Sequence, residues 1–171
     1  FHTFSKTYNM AGWRLGFCAG NGEILRPLEK LKSYLDYGVF TPIQLSGVLA
    51  LDSSQKCVED TVAEYKRRRD KFVDGLNRIG WKVERPKATM YLWIRLPEKF
   101  RGMSSLQFAE LLIERTGIAV APGVGFGSYG EGFVRMALVT HYDRFHDALL
   151  RLKKFLKEGP LATGARRVGN L

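Results

Sequence analysis

The stretch from Thr3 to Gly16, TFSKTYNMAGWRLG, sets one amine among small hydroxyls and aromatic rings and follows it with one guanidinium. Lys6 is the amine, Thr3 and Ser5 supply the hydroxyls, Phe4 and Tyr8 the rings, and Arg14 comes later between Gly12 and Gly16. A lysine in a semi-apolar pocket gives up its proton more readily, because desolvation disfavours the ammonium. The neutral amine can then form a Schiff base. Two hydroxyls and a planar guanidinium are natural donors to a phosphate. An imine-forming amine beside a phosphate cradle is what pyridoxal 5'-phosphate (PLP) requires of its protein. Taken without further context, Lys6 and Arg14 could equally be surface cations on a loop that precedes a strand.

A second guanidinium stands in an unusual place. Phe133–Val139 alternates as a strand, with Phe133, Arg135, Ala137 and Val139 on one face and Val134, Met136 and Leu138 on the other. A buried unpaired charge is costly, so Arg135 should meet an anion. That anion is either an internal carboxylate, such as Glu131 or one on a helix, or one that arrives with a substrate. Just upstream, Gly125-x-Gly127-x-x-Gly130 matches the letters of a dinucleotide fingerprint. Such a turn has to open a helix whose N-terminus receives the pyrophosphate. Here it leads into a strand, so it reads as a wide, flexible strand-to-strand loop. His2, His141 and His146 lack metal-ligand spacing and there is no HExxH or Cys/His cluster, so no metal is expected. Cys18 and Cys57 lack it too, and read as reduced thiols of a cytoplasmic protein.

Thr3-x-Ser5-Lys6 followed by Gly12-x-Arg14-x-Gly16 resembles the PLP-lysine signature of the class I/II aminotransferases, with Thr3 where the family usually carries serine. The resemblance implies an α/β chain of the PLP-dependent transferase fold type I, specifically its C-terminal part. That part comprises the end of the large domain plus a small α+β domain. Lys6 would carry the Schiff-base link and, once freed, act as general base. Thr3, Ser5 and Arg14 would hold the cofactor, and Arg135 matches the arginine that clamps the substrate α-carboxylate with two parallel bonds. SKTYNMAGWR, the run FTPIQ at 40–44 and Ala88–Trp93 are most similar to the LL-diaminopimelate, alanine and aspartate aminotransferase-like branch, LL-diaminopimelate ranking first. Glutamate and 2-oxoglutarate would be the co-substrates and the full-length protein a homodimer. The turn Tyr37–Thr41 would reach toward the partner's active site, or serve as a plain helix–helix turn.

In that family the signature lies past the midpoint, so the chain is expected to be the C-terminal portion of a longer enzyme, matched to about Lys157. It lacks an assignable acid for the pyridine nitrogen, a ring-stacking aromatic and groups for the phenolic oxygen, and is expected to be inactive alone. The reading from a different class is a non-catalytic aminotransferase-like module that binds an effector and regulates.

The elements that would place these residues are legible in outline. Leu15–Gly20 reads as a short buried strand. Ile24, Leu25, Leu28, Leu31 and Leu35 form a helical stripe, with Pro27 near the first turn. Thr41-Pro42-Ile43-Gln44 predicts an N-cap threonine and a capping box for a helix to Leu51. From Ser53 a helix of about 26 residues, or roughly 39 Å, runs to Gly80 and connects two domains. Trp81–Arg85 and Met90–Leu96 read as strands about the Pro86–Thr89 corner. Ser104 and Gln107 predict a capping box for a helix ending at Gly117. Ile118–Ala121 is a short strand stopped by Pro122. Thr140 predicts the cap of a last helix with Tyr142, Phe145, Leu149, Leu152 and Phe155 inward, ended by Gly159-Pro160.

The domain boundaries are expected at 1–52, 53–160 and a disordered tail, 161–171. The composition is that of an ordinary globular protein, 45% hydrophobic and 26% charged. No apolar run approaches a membrane span. The net charge of +10 raises a nucleic-acid partner. Yet Arg67, Arg68 and Arg69 would fan around a helix and fail to form one basic face, so they read as a solvated surface. Anionic ligands account for part of the rest.

Overall fold

The computed structural model describes residues 1–160; the expected tail at 161–171 lies outside the described residues. The chain divides into two compact units, Phe1–Ala63 and Glu64 onward, the division falling inside one helix, α4 (Lys56–Arg78).

In the first unit, β1 (His2–Thr3) pairs antiparallel with β2 (Gly16–Phe17), and between them come the single turn α1 (Phe4–Thr7) and a 3-10 turn at Ala11–Trp13. Phe4 and Leu15 are the buried apolar residues here, and both lie against Gly47 of α3 (Thr41–Asp52). The strand expected over Leu15–Gly20 is thus two residues long, and both are exposed. Helix α2 (Gly22–Leu35) starts earlier than its apolar stripe suggests, because Asn21 caps it by accepting from the Glu23 amide at 2.8 Å. Pro27 therefore lies inside the helix. The box expected at Thr41 does not form. Phe40 is the N-cap, no side chain caps it, and Gln44 Nε2 donates back to the Val39 carbonyl at 2.6 Å. Helix α4 has 23 residues, about 35 Å. Its first backbone bonds run from Val58 and Glu59 to the Gln55 carbonyl, while the Gln55 side-chain amide donates to the carbonyls of Ala50, Leu51 and Ser53, closing α3.

The second unit is built on a three-stranded antiparallel sheet in the order β3 (Tyr91–Arg95), β5 (Phe133–Ala137), β4 (Ala121–Pro122). One sheet face meets the later part of α4, α5 (Ser105–Thr116) and α6 (Tyr142–Glu158) in a single apolar core. Phe100 stacks on Phe155 at 4.8 Å, and Phe108 sets its edge to Phe100, Phe155 and Trp81. The box at Ser104 forms in both directions, Gln107 N to Ser104 Oγ at 3.2 Å and Ser104 N to Gln107 Oε1 at 3.0 Å. Trp81–Arg85 is not a strand: Asn77 bonds the Val83 amide and carbonyl through its side chain, replacing a strand partner. The last helix takes its N-cap from His141, one residue beyond Thr140, with no side-chain bond; Phe145, Leu152, Phe155 and Leu156 face the core.

The arginine run is only partly solvated. Arg68 and Arg69 keep 18% and 16% of their side chains exposed, and reach the carbonyls of Leu138 and Pro86. Glu64 accepts from both Arg67 and Arg68, which holds its carboxyl down at about 2, Arg67 being the larger cause. Arg67 and Lys71 lie over the Tyr142 ring at 3.7 and 3.8 Å, tying α6 to α4. Arg67 and Arg68 share Glu64, but fanning around the helix sends their other contacts, and those of Arg69, to different places: the Tyr142 ring, the Leu138 carbonyl and the Pro86 carbonyl.

The glycine-rich segment leads from β4 through two 3-10 turns, Gly123–Phe126 and Ser128–Gly130, into β5. Its two ends, Gly123 and Gly130, are buried and pack against each other, while residues 124–129 between them are exposed, with open space around Gly125 and Gly127. A Cβ at Gly123 would sit 1.9 Å from the Gly130 carbonyl oxygen, and one at Gly130 would sit 2.0 Å from that of Gly123. Backbone cannot step aside as a side chain can. Gly123→Ala should therefore lower stability by about 1–3 kcal/mol or more, read as a drop in melting temperature; an unchanged melt would show that this contact is not tight.

Candidate functional site

Thr3 N-caps α1: its Oγ1 accepts from the Ser5 amide at 3.1 Å and donates to Ser5 Oγ at 2.9 Å. Lys6 follows in the same turn. The β1–β2 ladder then sets Thr3 opposite Gly16, and Phe4 N donates to the Leu15 carbonyl at 3.2 Å, so the Arg14 turn is tied to the hydroxyl pair. Gly16 permits this approach, since a Cβ there would lie 2.7 Å from the His2 carbonyl oxygen. Arg14 itself takes a left-handed conformation, φ 53°, ψ 42°, and its Nη1 donates to the Ala11 carbonyl at 3.0 Å. Strained backbone of this kind in a non-glycine residue is held by its surroundings and gathers at functional sites. Tyr8 anchors the far side of the turn through its hydroxyl to Gln55 Oε1 at 2.9 Å.

The structure thus brings together Thr3, Ser5, Lys6 and the Arg14 turn. It does not supply the desolvated setting expected for Lys6, which is exposed. In a helical turn successive residues step by about 100°, so with Phe4 buried the residue two places on points outward. Among the described residues neither Lys6 nor Arg14 has a carboxylate partner. The first acidic residue of the chain is Glu23. Two hydroxyls, an ammonium and a guanidinium with no anion of their own suit a phosphate and an aldehyde, so the donor set fits PLP.

Arg135 belongs to the second unit. It lies on the sheet face turned away from the core and is half-buried, so the deep burial expected for it is not found. The alternation explains this: Val134 and Met136 take the core side. Its internal candidate partner, Glu131, is engaged elsewhere. The Glu131 carboxylate accepts from the Gly132 amide at 2.9 Å and from the Ser105 amide and hydroxyl, bonds that lower its pKa, the Gly132 amide foremost. The Arg135 guanidinium instead lies over two rings, 4.3 Å from the Tyr91 centroid and 4.4 Å from that of Phe126. Tyr91 was readable from the alternation of β3, which puts it on the face of Arg135; nothing in the glycine-rich segment marked Phe126.

Comparison with known proteins gives the family. A family model described as aminotransferase class I and II matches residues 1–149. The chain is similar to the glutamate-pyruvate aminotransferase AlaC of Escherichia coli (strain K12), 46% identical over 98% of this chain and 41% of that protein. It is likewise similar to an LL-diaminopimelate aminotransferase of Syntrophobacter fumaroxidans, 46% identical over 90% of this chain and 39% of that protein. Among solved structures, an aromatic aminotransferase from Pyrococcus horikoshii OT3 superposes with a TM-score of 0.82 at 37% identity, over 91% of this chain and 42% of that one. The chain therefore spans about two fifths of the length of the relatives it matches.

Proposed function

Because the chain belongs to the class I and II aminotransferases, a PLP-dependent family of fold type I, we propose that it carries the lysine of a transaminase that exchanges an amino group between an amino acid and a 2-oxo acid. The observation that carries this reading is the Thr3–Ser5–Lys6 turn laced to the Arg14 turn in a stretch free of acidic residues. The donor would be of the LL-diaminopimelate, alanine or aspartate type and the acceptor 2-oxoglutarate or a like acid, in keeping with the names of the relatives.

Bound PLP supplies an electron sink for the substrate Cα. Thr3 Oγ1, Ser5 Oγ and the Arg14 guanidinium would grip its phosphate. Lys6 Nζ would hold its aldehyde carbon and, once displaced by the incoming amine, take the proton from Cα. Arg135 would fix the substrate carboxylate through its N–H edge. The acid for the pyridine nitrogen and the ring-stacking aromatic would lie outside these 171 residues, so the chain alone would not turn over. Residues 1–52 would close the large domain and residues 53–160 form the small one.

In the full-length protein we expect a homodimer with the Tyr37–Thr41 turn facing the partner, supported by Tyr37 and Phe40 standing 94% and 71% exposed. Among the described residues no helix is long and apolar enough to cross a membrane. The free Cys18 and Cys57 suit a reducing, cytoplasmic setting. The test is the visible spectrum of the full-length protein with PLP, before and after borohydride, followed by mass mapping. A fixed adduct on Lys6 is expected; an adduct on another lysine, or none, refutes the assignment.

A further inference from the structure

Resting on the carboxylate reading of Arg135, we propose that Tyr91 and Phe126 are positioning residues that hold this guanidinium by its flat side, so that its N–H edge recognises the α-carboxylate common to every donor and acceptor. A planar guanidinium can be held in two ways. A carboxylate beside it spends the N–H donors; a ring beneath it spends only the π contact. Arg135 is held in the second way. Its carbon lies over both rings at 4.3 and 4.4 Å, and among the described residues it makes no hydrogen bond or ion pair, Glu131 being bound to Ser105 and Gly132.

Aromatic packing places Phe126 and strand register places Tyr91. Trp93 packs edge-to-face with Phe126 at 5.5 Å and stacks on Phe133 at 5.7 Å, and Arg95 lies over Phe133 at 5.3 Å. Ladder register sets Tyr91 opposite Ala137 and Trp93 opposite Arg135, so strand pairing itself locates one of the two rings. A guanidinium placed between two rings with its donors unspent would pay less ordering cost on binding an anion.

A ring that touched the substrate side chain would favour one substrate over another. A ring that acts through Arg135 must affect all of them alike. In the full-length protein, Tyr91→Leu and Phe126→Leu are each expected to raise KM for the amino donor and for the 2-oxo acceptor by one common factor, about 2- to 30-fold, with kcat changed far less. Tyr91→Phe and Phe126→Tyr, which keep the ring, should leave KM near its starting value. In an Arg135→Ala background the leucine changes should add nothing. Calorimetric binding of succinate, a carboxylate that does not react, should weaken by the same factor.

Unequal factors for donor and acceptor, or a full effect persisting without Arg135, overturn the proposal. If the starting protein neither transaminates nor binds succinate, the carboxylate reading fails first, and this one with it. If it does both and the leucine variants are neutral, only the positioning role falls. Phe126 is 51% exposed and can be truncated without loss of the core, so it carries the test alone should Tyr91→Leu unfold.

Discussion

In the full-length protein, Lys6→Ala should leave a folded chain that gives no borohydride-fixed adduct with PLP and has lost its turnover. Two losses combine. The aldehyde has no amine to hold it, and the proton on the substrate Cα has no base; removing a positioned base alone costs about 10²–10⁴-fold in rate. The fold should survive because Lys6 is exposed and, among the described residues, makes no ion pair, while the turn that carries it is held by the Thr3 cap and by buried Phe4. Circular dichroism checks the fold, the absorbance spectrum checks the adduct, and a single-turnover assay with amino acid checks the chemistry. A variant that still transaminates within tenfold of the starting rate would dismiss Lys6 as the reacting amine.

Arg135→Ala should behave differently. The adduct on Lys6 should form normally, since in the proposed site PLP would be held by Thr3, Ser5, Lys6 and Arg14. What is lost is grip on the carboxylate. Hydrogen bonds to charged groups contribute about 1.5–3 kcal/mol each, so a two-bond clamp is worth on the order of 3–6 kcal/mol, or about 10²–10⁴-fold in kcat/KM. Arg135→Lys should recover only part of this, because an ammonium cannot present two parallel donors. Little thermal destabilisation is expected, as among the described residues no carboxylate pairs with Arg135. Steady-state kinetics with a donor and an acceptor, alongside a melting curve, separates the two effects; a loss below tenfold for both substrates would remove Arg135 from the carboxylate site.

These expectations rest on how much of the molecule could be read from its residues. Features whose cause is local were legible. The capping box needs only Ser104 and Gln107 three residues apart, and the stop at Gly117 needs only one residue with φ of 67°. The lysine turn was legible for the same reason, since Thr3, Ser5 and Lys6 are neighbours. Features decided by distant partners were not. Trp81–Arg85 has strand composition, but Asn77 takes the bonds that a strand would have offered. Gln55 opens α4 through its carbonyl, yet its side chain turns back to the carbonyls that end α3, which no local pattern announces. Arg68 and Arg69 look like solvated cations until their carbonyl partners, one of them 70 residues away, come into view. Alternation placed Arg135 on one face of β5 without telling which face the helices would cover. Phe126 had no signature at all.

The left-handed backbone at Arg14 carries a consequence of its own. Glycine would sit there without the steric penalty an L-residue bears, yet glycine has no guanidinium to offer. Robustness and usefulness thus pull this one position in opposite directions. If Arg14 grips the cofactor phosphate as proposed, selection for heat tolerance alone would tend to erode that grip, and an arginine retained under such pressure would mark a position held for binding.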